Sequence, residues 1–177
     1  QVLHDAVGVK KAMLTTVHAY TATQKLVDGP DKGDWRRGRA AAQNISPSTT
    51  GAAIAVTRVV KELKGKFDGI AVRVPVVSGS LSTVVFLAGR PTSIEEINNA
   101  LMSAEQTPRW KGVFKTTTDP LVSSDIIGIP YASLVDLSLT KVIDGDLVSI
   151  GAWYDNEMGY THMLVEHVIK SGAYAQK

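Results

Sequence analysis

Apolar and polar residues alternate roughly from Lys10 to Ala19, and Ala12, Leu14, Thr16 and His18 share one face. That pattern predicts a strand with His18 at its end. Before it, Gln1 to Val7 reads as the tail of an amphipathic helix stopped by Gly8. Residues 25 to 47 carry Gly29-Pro30, Lys32-Gly33-Asp34 and Pro47, a long connection of the kind that holds function or an interface. Thr49 or Thr50 caps a predicted helix to about Leu63, with Ala52, Val56, Val59, Val60 and Leu63 inward and Gly65 ending it. Ile70 to Val77 and Leu81 to Leu87 then predict two antiparallel strands around Ser78-Gly79.

Ser93-Ile94-Glu95-Glu96 is a capping box, and Ile94, Ile97, Leu101 and Ala104 continue at helical spacing to Glu105. Ser133 to Ile143 and Leu147 to Tyr154 alternate as strands joined through Asp144-Gly145, a two-residue hairpin signal. Asp155 or Asn156 caps a last helix to about Gly172, whose predicted buried stripe is Met158, Leu164, Val165, Val168 and Ile169. Strands and helices do not alternate as βαβ units. The expected fold is therefore α+β, a largely antiparallel or mixed sheet covered by helices on one face.

A chain of 177 residues, 44% hydrophobic, can bury one substantial core. Its net charge of +2 is too small to argue for nucleic acid or an anionic membrane. Without cysteine there is no disulfide framework and no thiolate zinc site, and no run of about 18 apolar residues could span a bilayer. These features point to a soluble, cytoplasmic protein whose partners are small molecules or protein. The start at Gln1, inside a helical pattern, reads as the edge of a fragment.

Taken alone, His18 reads as a hydrogen-bonded structural histidine. Thr15, Thr16, Thr21 and Thr23 surround it with hydroxyls, and an imidazole with an ordinary pKa of about 6.5 suits proton transfer near neutrality. Arg73 interrupts an apolar strand, where an unpaired guanidinium is costly, so it is expected to meet a carboxylate or a bound phosphate. Ser48-Thr49-Thr50-Gly51 offers hydroxyls and free N–H groups at a helix start, suited to phosphate. Arg36, Arg37 and Arg39 read alone as a solvated cluster. The run from Trp153 to Tyr160 could plug a core or present hydrogen bonds to a flat ligand, while His4, His162 and His167 lack metal-ligand spacing.

Together these motifs resemble the catalytic domain of phosphorylating glyceraldehyde-3-phosphate dehydrogenases along the whole chain. Thr15 to Gln24, Val27 to Pro30, Trp35 to Arg39, Thr49 to Ala53, Arg73 to Pro75, Ser123 to Asp125 and Trp153 to Glu157 fall in the family's order. The resemblance implies a glycolytic oxidoreductase that converts glyceraldehyde 3-phosphate to 1,3-bisphosphoglycerate with NAD through a cysteine thioester. It implies that His18 is the base that activates the cysteine thiolate. Thr21, Thr23 and Arg73 would hold the substrate's phosphate, and Thr50, Gly51 and Arg37 the attacking inorganic phosphate. Asn156 would contact the nicotinamide carboxamide, with Tyr160 beside the ring.

The loop from Tyr20 to Gln43 resembles the family's S-shaped interface loop, which implies a homo-oligomer, a tetramer at full length. By the same resemblance, residues 1–177 are the catalytic domain, and the nucleophile about ten residues upstream and the NAD-binding Rossmann domain are absent. The fragment alone is then expected to be inactive, with no metal. NADP stays open beside NAD, because the residues that read the adenosine ribose lie upstream. Val76 and Ser78-Gly79 depart from the family's commoner residues. Rival readings are an erythrose-4-phosphate dehydrogenase, which shares the architecture, and a non-catalytic adhesin or nucleic-acid binder acting through the basic loop.

Overall fold

The computed structural model of the chain describes residues 1–175. Its elements are α1 (Val2–Val7), β1 (Val9–Ala19), β2 (Ser46–Thr49), α2 (Ala52–Val59), β3 (Phe67–Val74), β4 (Ser80–Ala88), α3 (Ile94–Glu105), β5 (Phe114–Thr117), β6 (Ser133–Ile143), β7 (Leu147–Tyr154) and α4 (Met158–Ala175). The seven strands form one mixed sheet in the order β2-β3-β1-β4-β7-β6-β5. This is the α+β architecture expected from the periodicities.

Register explains how β1 delivers its side chains. It pairs in parallel with β3, so that His18 lies opposite Arg73, and antiparallel with β4, so that Thr16 lies opposite Ser82. The strands β3 and β4 run in opposite directions, as expected, but they are not neighbours. The earlier β1 is inserted between them, and local periodicity carries no trace of that ordering.

One sheet face holds the core. Phe86, Val148 and Ile150 from the sheet pack with Val7 of α1 and with Ile97 and Leu101 of α3. Leu63 and Val60 close the core from the α2 side. The capping box at Ser93 is present in half: the Ser93 hydroxyl accepts from the Glu96 N–H at 3.2 Å, while the Glu96 carboxylate pairs with Arg90 instead. Asp144 and Gly145 both take positive φ, 49° and 74°, at the β6–β7 turn. Pairing resumes at Ile143 and Leu147, so the connection spans three residues instead of two.

Further expectations change. The helix expected to reach Leu63 ends at Val59, followed by a 3-10 turn at Lys61–Leu63; its inward residues are Ala53 and Val56, while Ala52 and Val59 face out, the latter 72% exposed. Ile94, in the first turn of α3, is 44% exposed. The α4 stripe is the largest correction: Met158, Leu164, Val165, Val168 and Ile169 are all exposed rather than buried. The helical period is real, but nothing else among the described residues covers that face. Finally, β2 begins within the connection read over residues 25 to 47 and takes in Thr49, read as a helix cap, while β5 and a short 3-10 turn at Ser123–Ile126 have no counterpart in the periodicities.

Candidate active site

Parallel pairing brings His18 and Arg73 to the same inner face at the ends of adjacent strands. The carbonyl of Ala19 accepts from His18 Nδ1 at 2.6 Å and from Arg73 Nη1 at 3.1 Å, and Nη1 lies 2.6 Å from Nδ1 itself. The Ala19 carbonyl can only accept, which calls for a proton on Nδ1, whereas the Arg73 guanidinium can only donate, which calls for a lone pair there; with the Ala19 bond made, the lone pair lies on Nε2.

Partial burial, then the Arg73 charge, hold the His18 pKa below its ordinary 6.5, against the Ala19 bond that raises it. The ring is neutral at pH 7. Burial also lowers Arg73 from its ordinary value, opposed by Tyr154, yet an arginine remains cationic at neutral pH. No carboxylate pairs with Arg73 among the described residues. Its polar contacts are the Ala19 carbonyl and His18.

Two cavities share this pair as a wall. One, of about 470 Å³, is lined by His18, Arg73, Thr16, Thr50, Gly51 and Tyr154 among others. The other, of about 670 Å³, is lined by His18, Arg73, Tyr20, Thr21, Asn156 and Glu157 among others. The N-cap of α2 is Gly51 rather than Thr49 or Thr50, and the Thr50 hydroxyl accepts from Ala52 N–H at 3.2 Å just ahead of it.

The other candidates divide unevenly. Thr21 and Thr23 exchange a 3.1 Å hydroxyl contact. Thr23 lines a small cleft with Arg36, Arg37, Ser48 and Arg73, so Arg37 gathers with Thr23 and Arg73 rather than with Thr50 and Gly51. Arg37 is tethered to Asp34 at 3.8 Å. Tyr160, in the first turn of α4, is 70% exposed and lines neither cavity.

Tyr154, from the run that reads as core plug or ligand contact, meets Thr16 and His18. The Tyr154 hydroxyl bonds Thr16 Oγ1 at 2.8 Å, and its ring meets His18 edge-on at 5.9 Å. Tyr154 on β7 is the register partner of Ser80 on β4, and β4 lies between β7 and the histidine's strand, a long-range arrangement that no local pattern gives. Among the described residues no cluster of His, Asp or Glu is placed to hold a metal, and no helix is long and apolar enough to cross a membrane.

Comparison with known proteins gives the class. The family model described as glyceraldehyde 3-phosphate dehydrogenase, C-terminal domain, matches residues 1–156, and the chain belongs to this family. It is 49% identical over 167 residues to a glyceraldehyde-3-phosphate dehydrogenase of Streptococcus pyogenes, covering 92% of this chain and 48% of that protein. With the enzymes of the same name from Clostridium pasteurianum and Clostridium acetobutylicum, identity is 48% and 47% over 169 residues. Each of those alignments covers 93% of this chain and 49% of the relative. The chain thus spans about half the length of the curated relatives it matches.

Proposed function

We propose that these residues form the catalytic half of a cytoplasmic, NAD-dependent phosphorylating glyceraldehyde-3-phosphate dehydrogenase of glycolysis. The observation that carries the reading is the pair His18 and Arg73, shared as one wall by two cavities. Two anions, the phosphate on the aldehyde and the incoming inorganic phosphate, are what such an arrangement can hold on either side of one base. Family membership at 47 to 49% identity supports the same chemistry.

Thr21, Thr23 and Arg73 hold the aldehyde's phosphate. Thr50 and Gly51 hold the inorganic phosphate, and Arg37 adds charge from the cleft it shares with Thr23 and Arg73. Through Nε2, His18 takes the proton of the nucleophilic thiol, gives it to the aldehyde oxygen as the hemithioacetal forms, and takes the hydroxyl proton back as the hydride leaves and the thioester forms. Since the chain has no cysteine, that thiol comes from outside these 177 residues.

The larger cavity fits the nicotinamide end of NAD: it offers the Asn156 amide for the carboxamide and Val77 and Leu26 for the ring. NAD, when bound there, accepts the hydride. Tyr160 would approach the ring only from its exposed place on α4. The exposed side chains of Val27 and Trp35 on the 20–43 loop, and of Met13, Val17 and Ile70 on the uncovered sheet face, suit assembly into a homotetramer.

The test is turnover by the complete polypeptide on glyceraldehyde 3-phosphate and on erythrose 4-phosphate, each with and without inorganic phosphate. Phosphate-dependent NAD reduction on the triose is expected. Phosphate-independent turnover of the tetrose would move the assignment to the erythrose-4-phosphate enzymes. No turnover of either would favour a binding module.

A further inference from the structure

The carboxylate of Asp155 is 4% exposed and is held by donors from three separate segments. Its Oδ1 accepts from Glu157 N–H at 2.8 Å, Met158 N–H at 3.0 Å and the Ser78 hydroxyl at 3.2 Å. Its Oδ2 accepts from Gly128 N–H at 2.8 Å. The first two bonds are an ordinary helix cap. An asparagine or serine could make those. The bonds to Ser78, in the β3–β4 connection, and Gly128, in the connection before β6, exceed what capping requires.

Burial by itself would raise the Asp155 pKa, and the four donors outweigh it and bring it below the ordinary value. The group is a fixed anion that joins the end of β7 to two loops. Between its own backbone and the two N–H groups it holds lies Asn156, which is therefore fixed on both sides. The Asn156 side chain is fixed as well: the hydroxyl of Ser80, itself 1% exposed, donates to Oδ1 at 3.1 Å. That leaves the two Nδ2 donors for the cavity that Asn156 lines.

We propose that Asp155 and Ser80 are positioning residues that set the direction of Asn156, so that the site donates to the carbonyl oxygen of a ring-borne carboxamide. The proposal rests on the dehydrogenase reading above and adds what that reading lacks, the reason Asn156 presents its donor end. A carboxamide is recognised here through its oxygen rather than its NH2 group.

The experiment uses the complete polypeptide, with binding measured for NAD, for ADP-ribose, which lacks the nicotinamide, and for the 3-acetylpyridine analogue, which keeps the carbonyl but lacks the NH2 group. In the unmodified protein the acetylpyridine analogue is expected to bind within a few-fold of NAD. Ser80→Ala and Asp155→Asn are each expected to weaken NAD about tenfold, the worth of one directed hydrogen bond, and to leave ADP-ribose unchanged. Equal weakening of both dinucleotides, or of neither, would overturn the positioning role. An acetylpyridine analogue bound far more weakly than NAD would overturn the assigned amide direction. Should Asp155→Asn fail to fold, Ser80→Ala, which removes a single oxygen, still decides the matter. An unmodified protein that holds NAD no better than ADP-ribose would instead refute the dehydrogenase reading, and the inference with it.

Discussion

Replacing His18 with Asn is expected to lower kcat/KM of the complete dehydrogenase by about 10²–10⁴-fold, the usual worth of a positioned base. Asn cannot take a proton, but it is small enough to occupy the half-buried site without clash. The pH profile supplies the sharper check. Burial and the Arg73 charge favour the neutral ring, so its folded pKa lies below 6.5. Activity that depends on the neutral form is present above that pKa and lost as pH falls through it. The acid limb of kcat/KM in the unmodified enzyme should therefore lie below pH 6.5, and H18N should lack that limb. A limb that survives the substitution would assign it to another group.

Arg73→Leu is expected to raise the KM values for the aldehyde phosphate and for inorganic phosphate together, each by about 10–100-fold. Hydrogen bonds to charged groups are worth about 1.5–3 kcal/mol, and every 1.4 kcal/mol is tenfold. Both should move because Arg73 walls both cavities. Removing the guanidinium also removes one of the effects that lower the His18 pKa, so the acid limb should shift upward in pH. Arg73→Lys keeps the charge but not the planar fork, and is expected to restore the limb's position better than the KM values. Steady-state kinetics across pH measures all three quantities.

How much of this was legible in the chain depends on the range of the interaction. Local signals held well: the strand carrying His18, the Ser93 cap, the positive-φ turn at Asp144-Gly145 and the glycine stop after α1 all depend on neighbouring residues. The strand β2 was hidden because Ser46-Pro47-Ser48-Thr49 has no apolar alternation, and Pro47 is tolerated only because β2 is an edge strand. Insertion of β1 between β3 and β4 is decided by long-range pairing, which no window of sequence contains. The stripe of α4 is correctly periodic, yet burial needs a partner surface as well as a period. That surface is not among the described residues.

The candidate site divides in the same way. His18, Arg73, Thr21, Thr50 and Asn156 came from local motifs, and the fold places each of them against one of the two cavities. The separation of Arg37 from Thr50 was not legible, because it depends on how a 26-residue span of loop between β1 and β2 folds back on itself. Backbone bonds from Lys25 N–H to the Arg37 carbonyl and from Gly29 N–H to the Gly38 carbonyl set that course. Asp155 reads in the sequence as a helix cap and Tyr154 as core plug or ligand contact, and only their long-range partners, Thr16 on β1 and Ser78 and Gly128 in two connections, reveal what they hold.

The central claim is that one histidine and one arginine serve two separate anion sites. The direct measurement is the pair of KM values, for the aldehyde phosphate and for inorganic phosphate, in Thr21→Val and Thr50→Val of the complete enzyme. Loss of one hydroxyl donor to a phosphate predicts a rise of about tenfold in a single constant. Thr21→Val should raise only the aldehyde's, and Thr50→Val only that of inorganic phosphate. If both substitutions raise the same constant, the two cavities are not two anion sites and the account is wrong.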